Sequence, residues 1–296
     1  LKKYAQWGFL VTLSAILTAV LAFIGGAPQR SLRKASGPVV FWSLNLVAAI
    51  VLYVSGAPVL AVAYFAIAFT CGMFAELEDM GFSRSTAGLA TLGLATIVGA
   101  ASFSFWVGSQ SGDWMTQVLT ATQPMYDQIL QIKPDLEVAH KAVLFQMPGA
   151  LLLMLMISAY ISLLGERMFS RWLGIDVVSD KPLTMFKAPD ELIWVLLASL
   201  LAAFFQQESQ PLLPYLGSNV LMVVIGIYFF QGLAVTSHFF NRIKLGVLWQ
   251  ILAYMVILAS QLFVLVAMVG VADLWMEFRE NKKDNRSKEK IKTENY

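Results

Sequence analysis

Thiol and imidazole groups are nearly absent from this chain. Cys71 is the single cysteine, and His140 and His238 are the two histidines. One cysteine cannot close an internal disulfide. With the two histidines far apart in sequence, no thiolate or Cys–His metal site can be drawn. Charge is scarce as well. Only 14% of the 296 residues are Asp, Glu, Lys or Arg, against roughly 25% in soluble domains. The net charge of +2 gives no basis for a nucleic-acid partner. The chain has no GxGxxG, no Walker lysine and no HExxH. No cofactor is implied and no catalytic constellation is recognised, so the expectation is a protein that is not an enzyme.

What the chain has in abundance is apolar side chain. Hydrophobic residues make up 58% of it and its mean hydropathy is +0.67, more than one soluble core of this length can hide. A hydrocarbon layer about 30 Å thick is crossed by about 20 apolar residues in a helix. Continuous runs of that kind lie at about 8–25, 38–55, 58–75, 86–108, 143–165, 191–206, 217–240 and 246–275. They are unbroken rather than alternating, which excludes a β-barrel. The expected fold is all-α: a polytopic bundle of about eight spanning helices. Residues 1–278 form one membrane domain, and a charged, disordered tail follows over 279–296. The start, Leu1-Lys2-Lys3 before an apolar run, has the form of a signal peptide. The repeated returns to the membrane favour an uncleaved first helix.

Two segments leave the hydrocarbon. Residues 109–142 carry Asp113, Asp127, Lys133, Asp135 and Glu137 and predict one or two amphipathic helices on the membrane surface. Residues 166–190 carry Arg167, Arg171, Lys181 and Lys187. Arg30, Arg33 and Lys34 fall in the first connection. Glu76, Glu78, Asp79 and Arg84 fall in a connection read as a solvated loop. Lys and Arg divide almost evenly between the two sides, so the positive-inside rule does not orient the bundle. The concentration of basic residues in the tail places both termini in the cytoplasm.

Polar groups inside the spans are few. Asp273 lies near the end of the last run. Arg279, six residues on, sits about 240° around a continuing helix, so the two cannot pair along one face. Asp273 is then either an interfacial carboxylate beside Trp275 or a buried group with a partner on another helix. Gln231 and His238 are seven residues apart on one face, as a cavity lining or as hydrogen-bonding glue between helices. Asn219, after Gly217-Ser218, reads as a helix N-cap. Gln250, Tyr254 and Gln261 form a second stripe. Ala87, Thr91, Ala95 and Gly99 recur every four residues and suit close helix packing. Pro148-Gly149 should kink its helix.

The C-terminal third resembles the YybS-like family of bacterial predicted membrane proteins, a domain of unknown function. The resemblance lies in Ala188-Pro189-Asp190-Glu191-Leu192-Ile193-Trp194, Asn219, Tyr228-Phe229-Phe230-Gln231-Gly232-Leu233-Ala234 and Val269-Gly270-Val271-Ala272-Asp273-Leu274-Trp275-Met276-Glu277-Phe278-Arg279. The hydrophobic layout is similar to the S-components of energy-coupling-factor vitamin transporters, with extra spans and the 109–142 insertion as departures. The resemblance implies a multi-pass protein of the bacterial inner membrane. It directs attention to Gln231, Gly232, Asp273 and Arg279, with His238 and Asn219 beside them, as candidate substrate-binding residues. Gly232 reads as a close-packing position. The leading expectation is a small-solute transporter or solute-binding membrane subunit, with a cavity between the last two helices. The alternative is a membrane scaffold or assembly factor that captures a membrane-protein partner through packed helix faces and the charged tail. An intramembrane enzyme ranks last.

Overall fold

The structure, a computed structural model, describes residues 2–109, 114–132, 140–174, 186–204, 212–259 and 262–279. Among these residues regular structure is helical throughout. The elements are α1 (Lys2–Val20), a 3-10 turn (Ala22–Gly26), α2 (Gln29–Ser36), α3 (Pro38–Val54), α4 (Pro58–Asp79), α5 (Arg84–Gly108) and α6 (Trp114–Ile132). They continue with α7 (His140–Leu173), α8 (Leu192–Phe204), α9 (Leu212–Arg242), α10 (Val247–Ala259) and α11 (Phe263–Met276). The expected all-α membrane bundle is what is found.

Local chemistry sets the boundaries. α3 and α4 each open with a proline in the first turn, where its missing N–H leaves no bond unmade. The hairpin between them turns at Gly56, whose φ is +89°. Ser83 caps α5, its hydroxyl accepting the Thr86 N–H at 3.2 Å. α4, α5, α9 and the 142–173 stretch of α7 are long and apolar enough to cross a membrane, while α3, α8 and α11 are shorter apolar helices. α4, at 22 residues, measures about 33 Å. Large aliphatic side chains cover much of the outer surface, among them Val39, Val47, Val51 and Val54 on α3. A lipid solvent leaves no penalty for such a surface.

Over 246–275 the described residues form α10 and α11, and residues 260 and 261 between them lie outside the description. The described part of 109–142 holds the 19-residue α6, with Pro124 inside it, in keeping with the expected one or two helices. One feature departs from the sequence reading here: α7 runs on to Leu173, so the first part of the supposed 166–190 excursion is helix. Gln261, lysines 133 and 181, Asp113, Asp135, Glu137 and the 280–296 tail lie outside the described residues.

The largest departure is at the N-terminal end. The chain turns inward after α1, and α2 is sunk among α1, α3, α4 and α7. Gly25 and Gly26 make the turn possible. A methyl group on Gly25 would overlap the Thr18 side chain, and one on Gly26 would overlap Ser158 of α7. Gln29, Arg30, Ser31, Leu32 and Arg33 are all buried. Leu32 packs with Leu10, Phe41 and Phe169. Cys71 is also inside, its thiol 3.9 Å from the Ser158 carbonyl.

Candidate functional site

Three features meet around one end of the bundle: a polar junction built on α9 and α11, a buried ion network built on α2, and a cavity between them.

The junction begins with glycine. A methyl on Gly232 of α9 would overlap the Val266 carbonyl, and one on Gly270 of α11 would overlap the Tyr228 carbonyl. The two backbones therefore touch, and no cavity separates α9 from α11 there. At the end of this contact Gln231 donates from Nε2 to Asp273 Oδ2 at 3.0 Å. Its Oε1 accepts the Ala188 N–H, also at 3.0 Å. Arg279 closes the set, donating to Asp273 Oδ2 at 2.5 Å and to the Phe186 carbonyl at 2.7 Å. The pairing of Asp273 with Arg279 corrects the helical-wheel expectation. α11 stops at Met276, and Glu277 takes a left-handed conformation (φ 43°). That turn brings Arg279 back over the helix end.

The other candidates from the sequence lie elsewhere. Asn219 is not an N-cap, because α9 starts seven residues earlier, at Leu212. Its carboxamide lies against the Pro148 break in α7, where proline has no N–H to donate. Oδ1 accepts the Gly149 N–H at 2.5 Å, and Nδ2 donates to the carbonyls of Phe145 and Tyr215, each at 2.7 Å. His238 is half-buried, with the Phe239 ring edge-on to it at 6.2 Å. Gln250 bonds locally to the Leu245 carbonyl at 2.8 Å, and Tyr254 meets the ring of Phe240 at 5.6 Å. Of the α5 stripe, Ala87 and Thr91 are buried, but Gly99 faces open space.

The ion network lies where the sequence suggested loops. Arg30, with its side chain 1% exposed, donates from Nε to Glu166 of α7 at 2.6 Å and is paired through Nη2 with Glu78 of α4. Lys34 also pairs with Glu166. Arg33 pairs with Glu76 and approaches Asp79 at 3.4 Å. Arg84, opening α5, donates from Nε to Glu78 at 3.1 Å. Four cations and four carboxylates from α2, α4, α5 and α7 thus interlock, which overturns the solvated-loop reading of Glu76, Glu78, Asp79 and Arg84. Burial, the largest influence on Lys34, lowers its pKa from the ordinary value; the bond it donates to Glu166 opposes this. Spacing was the overlooked signal. Arg30, Arg33 and Lys34 fall at i, i+3 and i+4, one face of a helix, four residues after the Gly25-Gly26 pair.

The cavity is not between the last two helices, where the sequence reading looked for one. It lies on the side of α9 away from α11, among α4, α5, α7 and α9, with a volume of about 80 Å³. Its walls are almost wholly apolar, with Leu89, Leu92, Met156, Leu163, Ile227 and Phe230 prominent. Both polar assemblies reach it. Phe186 and Pro189, from the segment tied down by Gln231 and Arg279, line one side, and Arg84 of the ion network lines another. Ser85, also in the lining, donates to the Lys187 carbonyl at 2.5 Å and fastens the same segment to α5.

No curated protein matches the chain, and no solved structure does. A family model does match, over residues 7–274, and it is described as a predicted membrane protein, DUF2232. That match takes in nearly all the helices that build the junction, the ion network and the cavity, and the chain belongs to this family of predicted membrane proteins.

Proposed function

We propose that this protein is a small-solute-binding membrane subunit or transporter, and that its ligand occupies the cavity among α4, α5, α7 and α9. One observation carries the reading: an apolar hollow of about 80 Å³ inside a bundle that at Gly149, Gly165, Gly217, Gly232 and Gly270 closes directly onto neighbouring backbone. Concave, mostly apolar sites with a few polar groups are where small molecules bind. The location differs from the expected one between the last two helices, where Gln231, Asp273 and Arg279 engage one another. Those residues support the cavity wall instead of touching the ligand. The similarity of layout to vitamin-transporter S-components agrees with solute binding at the level of analogy.

An alkyl diazirine probe tests the site. Photolysis of the probe with the purified chain, followed by peptide mass spectrometry, should place adducts near Leu89, Leu92, Met156 and Ile227. A Gly88→Phe substitution should remove them, because the Gly88 position opens toward the cavity with Phe74 4.0 Å away. Labelling confined to outward residues such as Val39 and Val47, and indifferent to G88F, would defeat the proposal.

A further inference from the structure

The polar groups around the cavity are already spent. Thr70, Thr91 and Ser85 each donate the hydroxyl proton to a backbone carbonyl, of Ala66, Ala87 and Lys187 respectively. Arg84 is held by Glu78 and by further contacts. Hardly any polar atom is left facing the hollow. A hydroxyl or amide placed there would give up its water and gain no partner, a loss of about tenfold to a hundredfold in affinity, and a charge would lose more. A hydrocarbon group has nothing to give up. It restores the dispersion contacts that the lining forfeits across an unfilled space, which favours entry even when the alternative surroundings are lipid. The size is restrictive as well. The volume of about 80 Å³ is close to half of the roughly 150 Å³ of an engineered apolar cavity that takes benzene. It suits a few carbon atoms, or a small ring once the flexible Met156 side chain in the wall has shifted. The hollow is partly open rather than sealed. It lies between α5 and α9, which both pack on α7 but scarcely on each other among the described residues.

We propose that the cavity selects a compact hydrocarbon group with no hydrogen-bonding atom, a small ring or the end of a chain, which enters from the bilayer between α5 and α9. The proposal rests on the cavity reading above and adds the ligand class. Any polar part of the ligand stays outside the hollow. Two sources carry this chemistry: a free apolar solute dissolved in the membrane, and the chain end of a membrane lipid.

Three rings of similar size test the class: cyclopentane, tetrahydrofuran, which replaces one methylene by an acceptor oxygen, and cyclopentanol, which adds a donor. Each competes with the alkyl diazirine probe on the full chain in dodecyl maltoside, with its free aqueous concentration measured by headspace gas chromatography. Cyclopentane should compete at least about tenfold more strongly than either polar ring. Thr91→Val and Tyr160→Phe each remove a hydroxyl from the lining at nearly constant shape. Both should leave all three competitions within about twofold of wild type, less than the loss of a typical hydrogen bond. Comparing variant with wild type cancels partition into the micelle. Equal competition by the three rings, or a loss of about tenfold for cyclopentanol or tetrahydrofuran alone in either variant, would overturn the ligand class while leaving the cavity reading standing. A phosphatidylcholine with a diazirine at the end of one chain, in nanodiscs, then separates the sources. Adducts on Leu89, Leu92 or Met156 that excess cyclopentane removes identify a lipid chain end; labelling there by the free alkyl probe alone identifies a free solute. If no ring competes and G88F labels like wild type, the cavity reading fails with the ligand class.

Discussion

Glu166→Gln is the sharpest perturbation of the ion network. The Glu166 carboxylate is 4% exposed and holds two cations that are themselves sunk in the bundle, Arg30 at 1% and Lys34 at 5%. Removing one charge leaves the Lys34 ammonium without its carboxylate and Arg30 with Glu78 alone. Breaking a buried pair from one side costs about 3–5 kcal/mol, because the surviving charge stays desolvated. An exposed pair would cost about 0–1 kcal/mol, so the two environments predict separable results. Adding Lys34→Met removes the orphaned charge, and the double variant should recover about 1–3 kcal/mol relative to E166Q alone. Reversible unfolding by sodium dodecyl sulfate in mixed micelles, followed by circular dichroism, measures both quantities. An E166Q variant within about 0.5 kcal/mol of wild type, or a double variant whose loss equals the sum of the single losses, would refute the reasoning.

Other perturbations probe separate contacts. Gln231→Leu removes the acceptor for the Ala188 N–H, so amide exchange at Ala188 should quicken at least tenfold while helix content holds. Asp273→Asn takes the charge from the bond to Arg279 and should cost about 1.5–3 kcal/mol, read in the same micelle titration; a smaller loss than Gly232→Ala would argue that backbone contact, not charge, holds the junction. G232A itself drives a methyl into the Val266 carbonyl and should cost about 1–3 kcal/mol by forcing α9 and α11 apart. Asn219→Ala leaves the Gly149 N–H and the Phe145 carbonyl without their side-chain partner. It should cost about 1–3 kcal/mol and speed exchange at Gly149.

Helical class and most helix positions were legible because the bilayer imposes one requirement on every span, a run of apolar residues long enough to satisfy its own backbone. Failures came where a residue's partner lies far away in sequence. Arg30 and Glu166 are separated by 136 positions, and nothing local to either shows that α2 folds inward rather than lying at the surface. The same holds for Asn219, whose partners are the carbonyl of Phe145 and the N–H of Gly149 on another helix. Its neighbours Gly217 and Ser218 suggested a helix start; in the fold Gly217 serves instead to admit the Ala202–Ala203 backbone of α8. For Asp273 and Arg279 the wheel geometry was sound but its premise was not, because the helix ends at Met276. A cavity, finally, is a place where side chains fail to meet. Each of Leu89, Met156 and Ile227 looks like ordinary core until four helices have been set in place.

Conspicuous polarity in this bundle is a guide to support more than to binding. A buried charge survives in an apolar medium only when its partners satisfy it, and Asp273, Gln231, Arg30 and Glu166 are each bound to other parts of the chain. Most of their bonding capacity is spent within the chain, although Asp273 Oδ1 and Arg30 Nη1 are buried without a hydrogen-bond partner among the described residues. Their effect on binding is indirect and can be traced. Gln231 and Arg279 fix the segment carrying Phe186 and Pro189, and Arg30 and Arg84 share Glu78. Both chains of contact end at residues that line the same hollow. Substitutions in the junction should therefore weaken photolabelling of the cavity through the Phe186–Pro189 wall, whereas Gly88→Phe should block it from within. A Gln231→Leu variant whose cavity residues label as in the wild type would show that the junction does not support the wall.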